Sequence, residues 1–122
     1  MVQEYKFERL EVWQLAIELF DLAYELDHQL PKSEQFNLSS QLRRSATSIS
    51  LNIAEGSTTA SNAEFRRYLK IALHSYIETH ACYLLIVRRS YVDRNNPKCV
   101  KFEEIGAKLF TKLQAFIRSL ER

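Results

Sequence analysis

Turn residues are scarce: only two glycines and two prolines occur in 122 residues. An all-β sandwich or barrel needs turn signals between many short strands, so that class is excluded. Cysteine is equally sparse. Cys82 and Cys99 stand alone without CxxC spacing, which removes a disulfide scaffold and a thiolate zinc site and predicts buried free thiols. No apolar run is long enough to cross a bilayer as a helix, and no membrane partner is expected. The opening MVQEYKFERLEVWQ lacks the basic segment and apolar stretch of a signal peptide, which predicts a cytoplasmic protein. There is no glycine-rich phosphate loop and no nucleophile elbow. The Glu-x-x-His motif of di-iron bundles occurs once, at Glu25 and His28, where two copies and two further glutamates are required. His74 and Glu78 share a helix face, but His80 points about 200° away from Glu78. No enzyme, cofactor or metal is therefore expected.

What is present is helical periodicity. A hydrophobic share of 46% with 26% charged residues suits one globular domain over residues 1–122, large enough to bury a core without metals or disulfides. Four segments carry the 3.6-residue period. The first is predicted from Phe7 to Leu30, ended by Pro31, with Leu10, Trp13, Ile17, Phe20, Tyr24 and Leu30 toward the core. The second runs from Asn37 to Gly56 as its C-cap, on a stripe of Leu38, Leu42, Ala46, Ile49 and Ile53. Ser61 to Glu64 has the form of a capping box and starts the third, whose stripe is Phe65, Leu69, Ala72, Tyr76, Thr79, Tyr83 and Ile86, continuing to about Ser90. Asn96 and Pro97 start the fourth, which carries Phe102, Ile105, Leu109, Leu113, Phe116 and Leu120 to the C-terminus. Short connections make successive helices antiparallel neighbours: an all-α, up-down-up-down four-helix bundle.

Charge is unevenly spread. Residues 1–35 hold three basic and eight acidic residues, and the remainder fourteen basic and seven acidic. The basic part can attract a polyanion or answer the acidic segment of its own or a neighbouring subunit. The basic residues fall in pairs: Arg43 with Arg44, Arg66 and Arg67 with Lys70, and Arg88 with Arg89. Arg66 and Lys70 are four apart and can converge on one phosphate region, whereas arginine pairs on bundle surfaces are usually solvated or ion-paired. Beside the core stripe of the second helix lies a polar one: Gln41, Arg44, Ser48, Asn52 and Glu55. It reads either as a boundary face toward water or as a subunit interface or polar network, with Arg44 supplying a planar partner for a carboxylate.

The same stretch, QLRRSATSISLNIAEG at 41–56, resembles the signature of the bacterial four-helix-bundle family of the 23S rRNA intervening-sequence protein, the S23 family. The resemblance begins with Phe7, Leu10, Val12, Trp13, Gln14 and Ala16. It continues through Phe36, Leu38, Gln41, Arg43, Arg44, Ser45, Ser48, Ile49, Asn52, Ile53, Ala54, Glu55 and Gly56, and extends to Glu64, Phe65, Tyr68, Leu69, Ile71, Ala72 and Leu73. The chain departs from the pattern at His74, where a glycine is common; the imidazole must either separate two helices or point outward. The family is similar to the accessory protein of diversity-generating retroelements, a homopentameric bundle that binds nucleic acid and a reverse transcriptase. The resemblance thus implies a homo-oligomer, a pentamer, with RNA or single-stranded nucleic acid and a protein such as a reverse transcriptase as partners. Two functions follow as expectations: a non-enzymatic nucleic-acid-binding accessory protein acting through the arginine pairs, or an assembly scaffold without nucleic-acid affinity.

Overall fold

Four helices, α1 (Glu11–Asp27), α2 (Leu38–Ser57), α3 (Asn62–Arg88) and α4 (Pro97–Ser119), make up the computed structural model, which describes residues 3–121. No strand occurs among the described residues. α1 packs on α2 and α4, and α3 packs on α2 and α4, while the diagonal pairs do not meet. The architecture is a four-helix bundle with sequential neighbours.

The core stripes expected on α2 and α3 are all buried, from Leu38 to Ile53 and from Phe65 to Ile86. α4 keeps Phe102, Leu109 and Leu113 inside, adds Cys99, Gly106 and Ile117, and leaves Ile105, Phe116 and Leu120 at the margin. It ends at Ser119, and Arg122 lies outside the described residues. Its start is as expected: Asn96 Oδ1 accepts from the Lys98 amide at 2.8 Å, with Pro97 in the first position.

α1 corrects the expectation twice. It is shorter at both ends, because Leu10 is extended (φ −70°, ψ 132°) between a 3-10 turn at Lys6–Arg9 and the helix, and the helix closes at Asp27, before Pro31. The buried side is Val12, Leu15, Ala16, Leu19, Leu22, Ala23 and Leu26. Ile17 and Tyr24 are exposed, and Trp13 and Phe20 half-buried. The helix is apolar on two sides, and the compact Leu/Ala side wins because it admits two neighbouring helices at close range. The aromatic side is left at the rim, where Trp13 meets Phe7 edge-on with centroids 4.6 Å apart and Phe20 meets Tyr24 at 4.7 Å.

Gly56 is a second correction. It lies inside α2 rather than capping it, and no glycine of the chain has a positive φ. Its role is close approach: a Cβ there would stand 2.7 Å from Tyr68 Cβ and 2.9 Å from Phe65 Cδ1 on α3. The left-handed cap belongs to Ser90 (φ 61°), after which the Tyr91 amide donates to the Ile86 carbonyl at 3.2 Å in a Schellman arrangement. Only half of the expected capping box forms at the start of α3. Ser61 Oγ accepts from the Glu64 amide at 3.1 Å, while the Glu64 carboxylate turns to Arg67 at 3.2 Å.

Two substitutions with opposite signs follow. Gly56→Ala should destabilise the bundle by about 1–3 kcal/mol, because the Tyr68 Cβ is tied to backbone and cannot swing away. Ser90→Gly should stabilise it by about 1 kcal/mol, the usual cost of a left-handed residue bearing a side chain. Urea melts of the two variants beside the unsubstituted chain measure both.

Candidate functional site

The polar stripe of α2 divides into an inner and an outer part. Ser48 Oγ lies 2.8 Å from Ser75 Oγ of α3, and Asn52 Nδ2 donates to the Ser48 carbonyl at 2.8 Å and to its hydroxyl at 3.0 Å. Deeper in, fully buried Thr79 donates to the Ser75 carbonyl at 2.8 Å and stands 2.9 Å from Ser45 Oγ. These hydroxyls are short enough to let two backbones approach and polar enough to satisfy one another once dry. The outer part faces solvent. Arg44 donates to Gln41 Oε1 at 3.3 Å, and the Glu55 carboxylate has no ion pair among the described residues. Arg44 and Glu55, with Arg43, Ser48, Asn52, Thr47, Leu51 and Tyr24, line an open groove of about 440 Å³ along α2.

The arginine pairs fare differently from one another. Arg43 serves the fold: its Nε donates to the Ser39 carbonyl at 3.3 Å and stands 3.8 Å from Asp27 Oδ2, while Ser39 Oγ donates to Asp27 Oδ1. It thereby ties the end of α1 to the start of α2. Arg66 donates to the Leu120 carbonyl at the end of α4, where a cation also suits the helix dipole. Arg67 is 3.2 Å from Glu64 and lies over the Tyr68 ring at 4.6 Å. Arg66 and Lys70 do not converge, since one reaches across to α4 and the other is exposed. Arg88 and Arg89 are both exposed at the end of α3, lining a shallow groove with Glu34 and Asn37, and Arg89 is 5.8 Å from the Tyr91 ring centre. Glu34 accepts from Tyr91 Oη at 2.8 Å, which holds its carboxyl below the ordinary range with help from Asn37.

His74 is exposed, so of the two outcomes expected for its imidazole the outward one holds. His80 stacks against Tyr76 and Tyr83, with ring centres 6.0 and 5.9 Å away. No cluster of three potential metal ligands occurs among the described residues. Both cysteines are buried, and burial raises their thiols above the usual pKa, favouring the unreactive protonated form.

One polar cluster is absent from the expectations. Fully buried Tyr83 donates to Glu103 Oε2 at 2.5 Å, and Arg94 grips the same carboxylate with Nε at 2.8 Å and Nη2 at 3.0 Å. Burial and the carboxylate beside it push the Tyr83 phenol well above its usual pKa. The Arg94 bonds hold Glu103 below the ordinary carboxylate range against burial, and Tyr83 adds to the effect. The available signal was Tyr83 itself, because a tyrosine on a core stripe requires a partner for its hydroxyl.

A depressed Glu103 pKa stabilises the fold above the unfolded carboxylate pKa, and that contribution is lost as pH falls through the lower folded value. Glu103→Gln should therefore be less stable than the unsubstituted chain at neutral pH, with the deficit shrinking below about pH 4. Thermal melts across an acid series measure the convergence; a deficit independent of pH would mean the carboxylate charge contributes nothing.

No curated protein matches the chain. Among solved structures, it is similar to a protein of unknown function from the S23 ribosomal protein family of Bacteroides thetaiotaomicron, with 28% identity and a TM-score of 0.78, over 87% of this chain and 97% of that one. That description names no enzyme. No described helix is long and apolar enough to cross a membrane. The model of the 23S rRNA-intervening sequence protein family matches residues 8–111, a span that includes the α2 signature and the hydroxyl network it builds against α3. The chain belongs to the 23S rRNA-intervening sequence protein family.

Proposed function

We propose that the protein is a non-enzymatic, self-assembling bundle that binds single-stranded nucleic acid through the end where α3 finishes. The observation carrying this reading is that Arg88 and Arg89, both exposed, share a groove with the α1–α2 connection, the segment that also carries Phe36, 89% exposed. Glu34 and Asn37 of that connection line one groove with the two arginines. Guanidinium groups for phosphates beside an open aromatic face are the combination that unpaired bases use. Arg44 and Lys70 remain as secondary cations, whereas Arg43, Arg66 and Arg67 are held by intrachain partners. Repetition of a modest patch around an oligomer multiplies its affinity.

A second reading, a scaffold that only assembles, is favoured by large apolar side chains in water on α3, namely Ile77, Leu84 and Leu85. In it, the Gln41, Arg44, Ser48, Asn52 and Glu55 stripe faces another copy. Anisotropy of a labelled unstructured RNA oligonucleotide over a salt series separates the two. Binding should weaken steeply with salt. Arg88→Glu with Arg89→Glu should lower affinity at least about tenfold and flatten the log–log salt slope by about 1.4. Unchanged affinity in that variant overturns the placement at this end. No binding by the unsubstituted protein at low salt leaves the scaffold.

A further inference from the structure

We propose that the groove between α3 and α4 binds a small, free, uncharged nitrogen heterocycle, a flat ring molecule with one N–H donor and one ring acceptor. The groove is open and encloses about 400 Å³, within the usual range of small-molecule sites. Tyr76 and His80, four residues apart, form its α3 wall, and Glu103, Ala107 and Phe110, spaced 4 and 3, form its α4 wall. It shares no residue with the groove at Arg88 and Arg89 or with the one along α2, so the inference stands apart from the nucleic-acid reading.

The observation that points to a ligand is the Tyr76 hydroxyl. Tyr76 is only 6% exposed, yet its Oη makes no hydrogen bond among the described residues, whereas that of buried Tyr83 is bound to Glu103. No enclosed side-chain polar atom among the described residues lacks a partner, so this hydroxyl is reached from the groove that Tyr76 lines. Gly106 leaves room for it: a Cβ there would stand 2.9 Å from Tyr76 Oη. Phenylalanine would pack equally well at this position, and the hydroxyl is left to serve a molecule outside the chain.

The surroundings set the class of that molecule. His80 and Phe110 flank the Tyr76 ring with centres 6.0 and 5.7 Å away, a lining of ring faces that favours a flat aromatic ligand. Burial and the Glu103 charge raise the Tyr76 phenol above its usual pKa, which keeps it protonated as a donor to a ring nitrogen. Glu103 Oε2 accepts from both Tyr83 and Arg94, whereas Oε1 accepts from Arg94 alone and keeps a lone pair for an N–H. Arg94 already neutralises that carboxylate, so a charged ligand would find no counter-ion. No lysine or arginine lines the groove, and the phosphates of a strand would have no cation beside it.

Benzimidazole, uncharged at neutral pH, is the probe. Titrated into the isotope-labelled protein, it should shift the amide resonances of residues 76–80 and 103–111 with a Kd of about 1 mM or below. Its N-methyl derivative, which lacks the N–H, should bind at least about tenfold more weakly. Tyr76→Phe should also lower affinity about tenfold and leave the melting temperature unchanged, because the hydroxyl has no partner in the fold. Ala107→Trp, at an exposed position on the rim, should fill the groove and abolish binding. No binding, shifts confined to other residues, or equal affinity in Tyr76→Phe overturns the site. Equal affinity of the N-methyl derivative overturns the donor requirement, and displacement of benzimidazole by an unstructured RNA oligonucleotide overturns the assignment to a free molecule.

Discussion

The distance between α2 and α3 is set by groups with almost no side chain. Gly56 touches Tyr68 and Phe65 directly, and Ser45, Ser48, Ser75 and Thr79 meet through hydroxyls. At this spacing, Leu42, Ile49 and Ile53 of α2 share one buried cluster with Leu69, Tyr83 and Ile86 of α3, which α1 and α4 cover. A larger residue at any of these points would push the pair apart and open the core along its length. Apolar small residues would permit the approach equally well, but hydroxyls also fix the register, because each has a partner at one rotation of the helix only. The α2 signature is thus chiefly a packing instruction.

Several of the arginines in this molecule are consumed by construction. Asp27, Ser39 and Arg43 hold the α1–α2 corner, Arg66 closes the end of α4, and Arg94 with Glu103 anchors the α3–α4 connection to Tyr83. Arginine suits these tasks because its flat fork satisfies a carbonyl or a carboxylate in two directions. Of the paired arginines, Arg44 on α2 and Arg88 with Arg89 at the end of α3 are left for other molecules. A basic pair in a sequence is therefore a poor guide to a binding surface until its neighbours are known.

Sequence periodicity located α2, α3 and α4 because each has one apolar side, and the Asn-Pro start of α4 needs no tertiary context. It failed on α1, where Ile17, Phe20 and Tyr24 repeat as regularly as Leu15, Leu19 and Leu22. Period alone cannot say which stripe is inside when both are apolar; the decision depends on side-chain volume against two neighbouring helices. Gly56 read as a cap because glycine most often ends helices, and the tight contact that requires it is made by residues nine and twelve positions away. The Tyr83 cluster joins α3, a loop and α4, so no local pattern announces it. Of the candidate site residues, the inner and outer division of the α2 stripe was beyond reach for the same reason: Ser75, the partner that defines the inside, lies 27 residues downstream of Ser48.

The bundle's seams are unequal: α2 lies close on α3 through small groups, whereas α3 meets α4 through large rings, Phe65 with Phe116, Tyr76 with Phe110 and Tyr83 with Phe102. The inequality orders the molecule's fluctuations. Departure of α4 breaks those ring contacts but leaves the hydroxyl-bonded pair intact, so the amides of α4 should exchange with solvent through partial openings. Those of α2 and α3 wait for the whole molecule to unfold. The unit expected to exchange slowest is a helical hairpin of consecutive elements joined by a four-residue connection, Thr58–Ser61, and contacts so local form early on a folding chain.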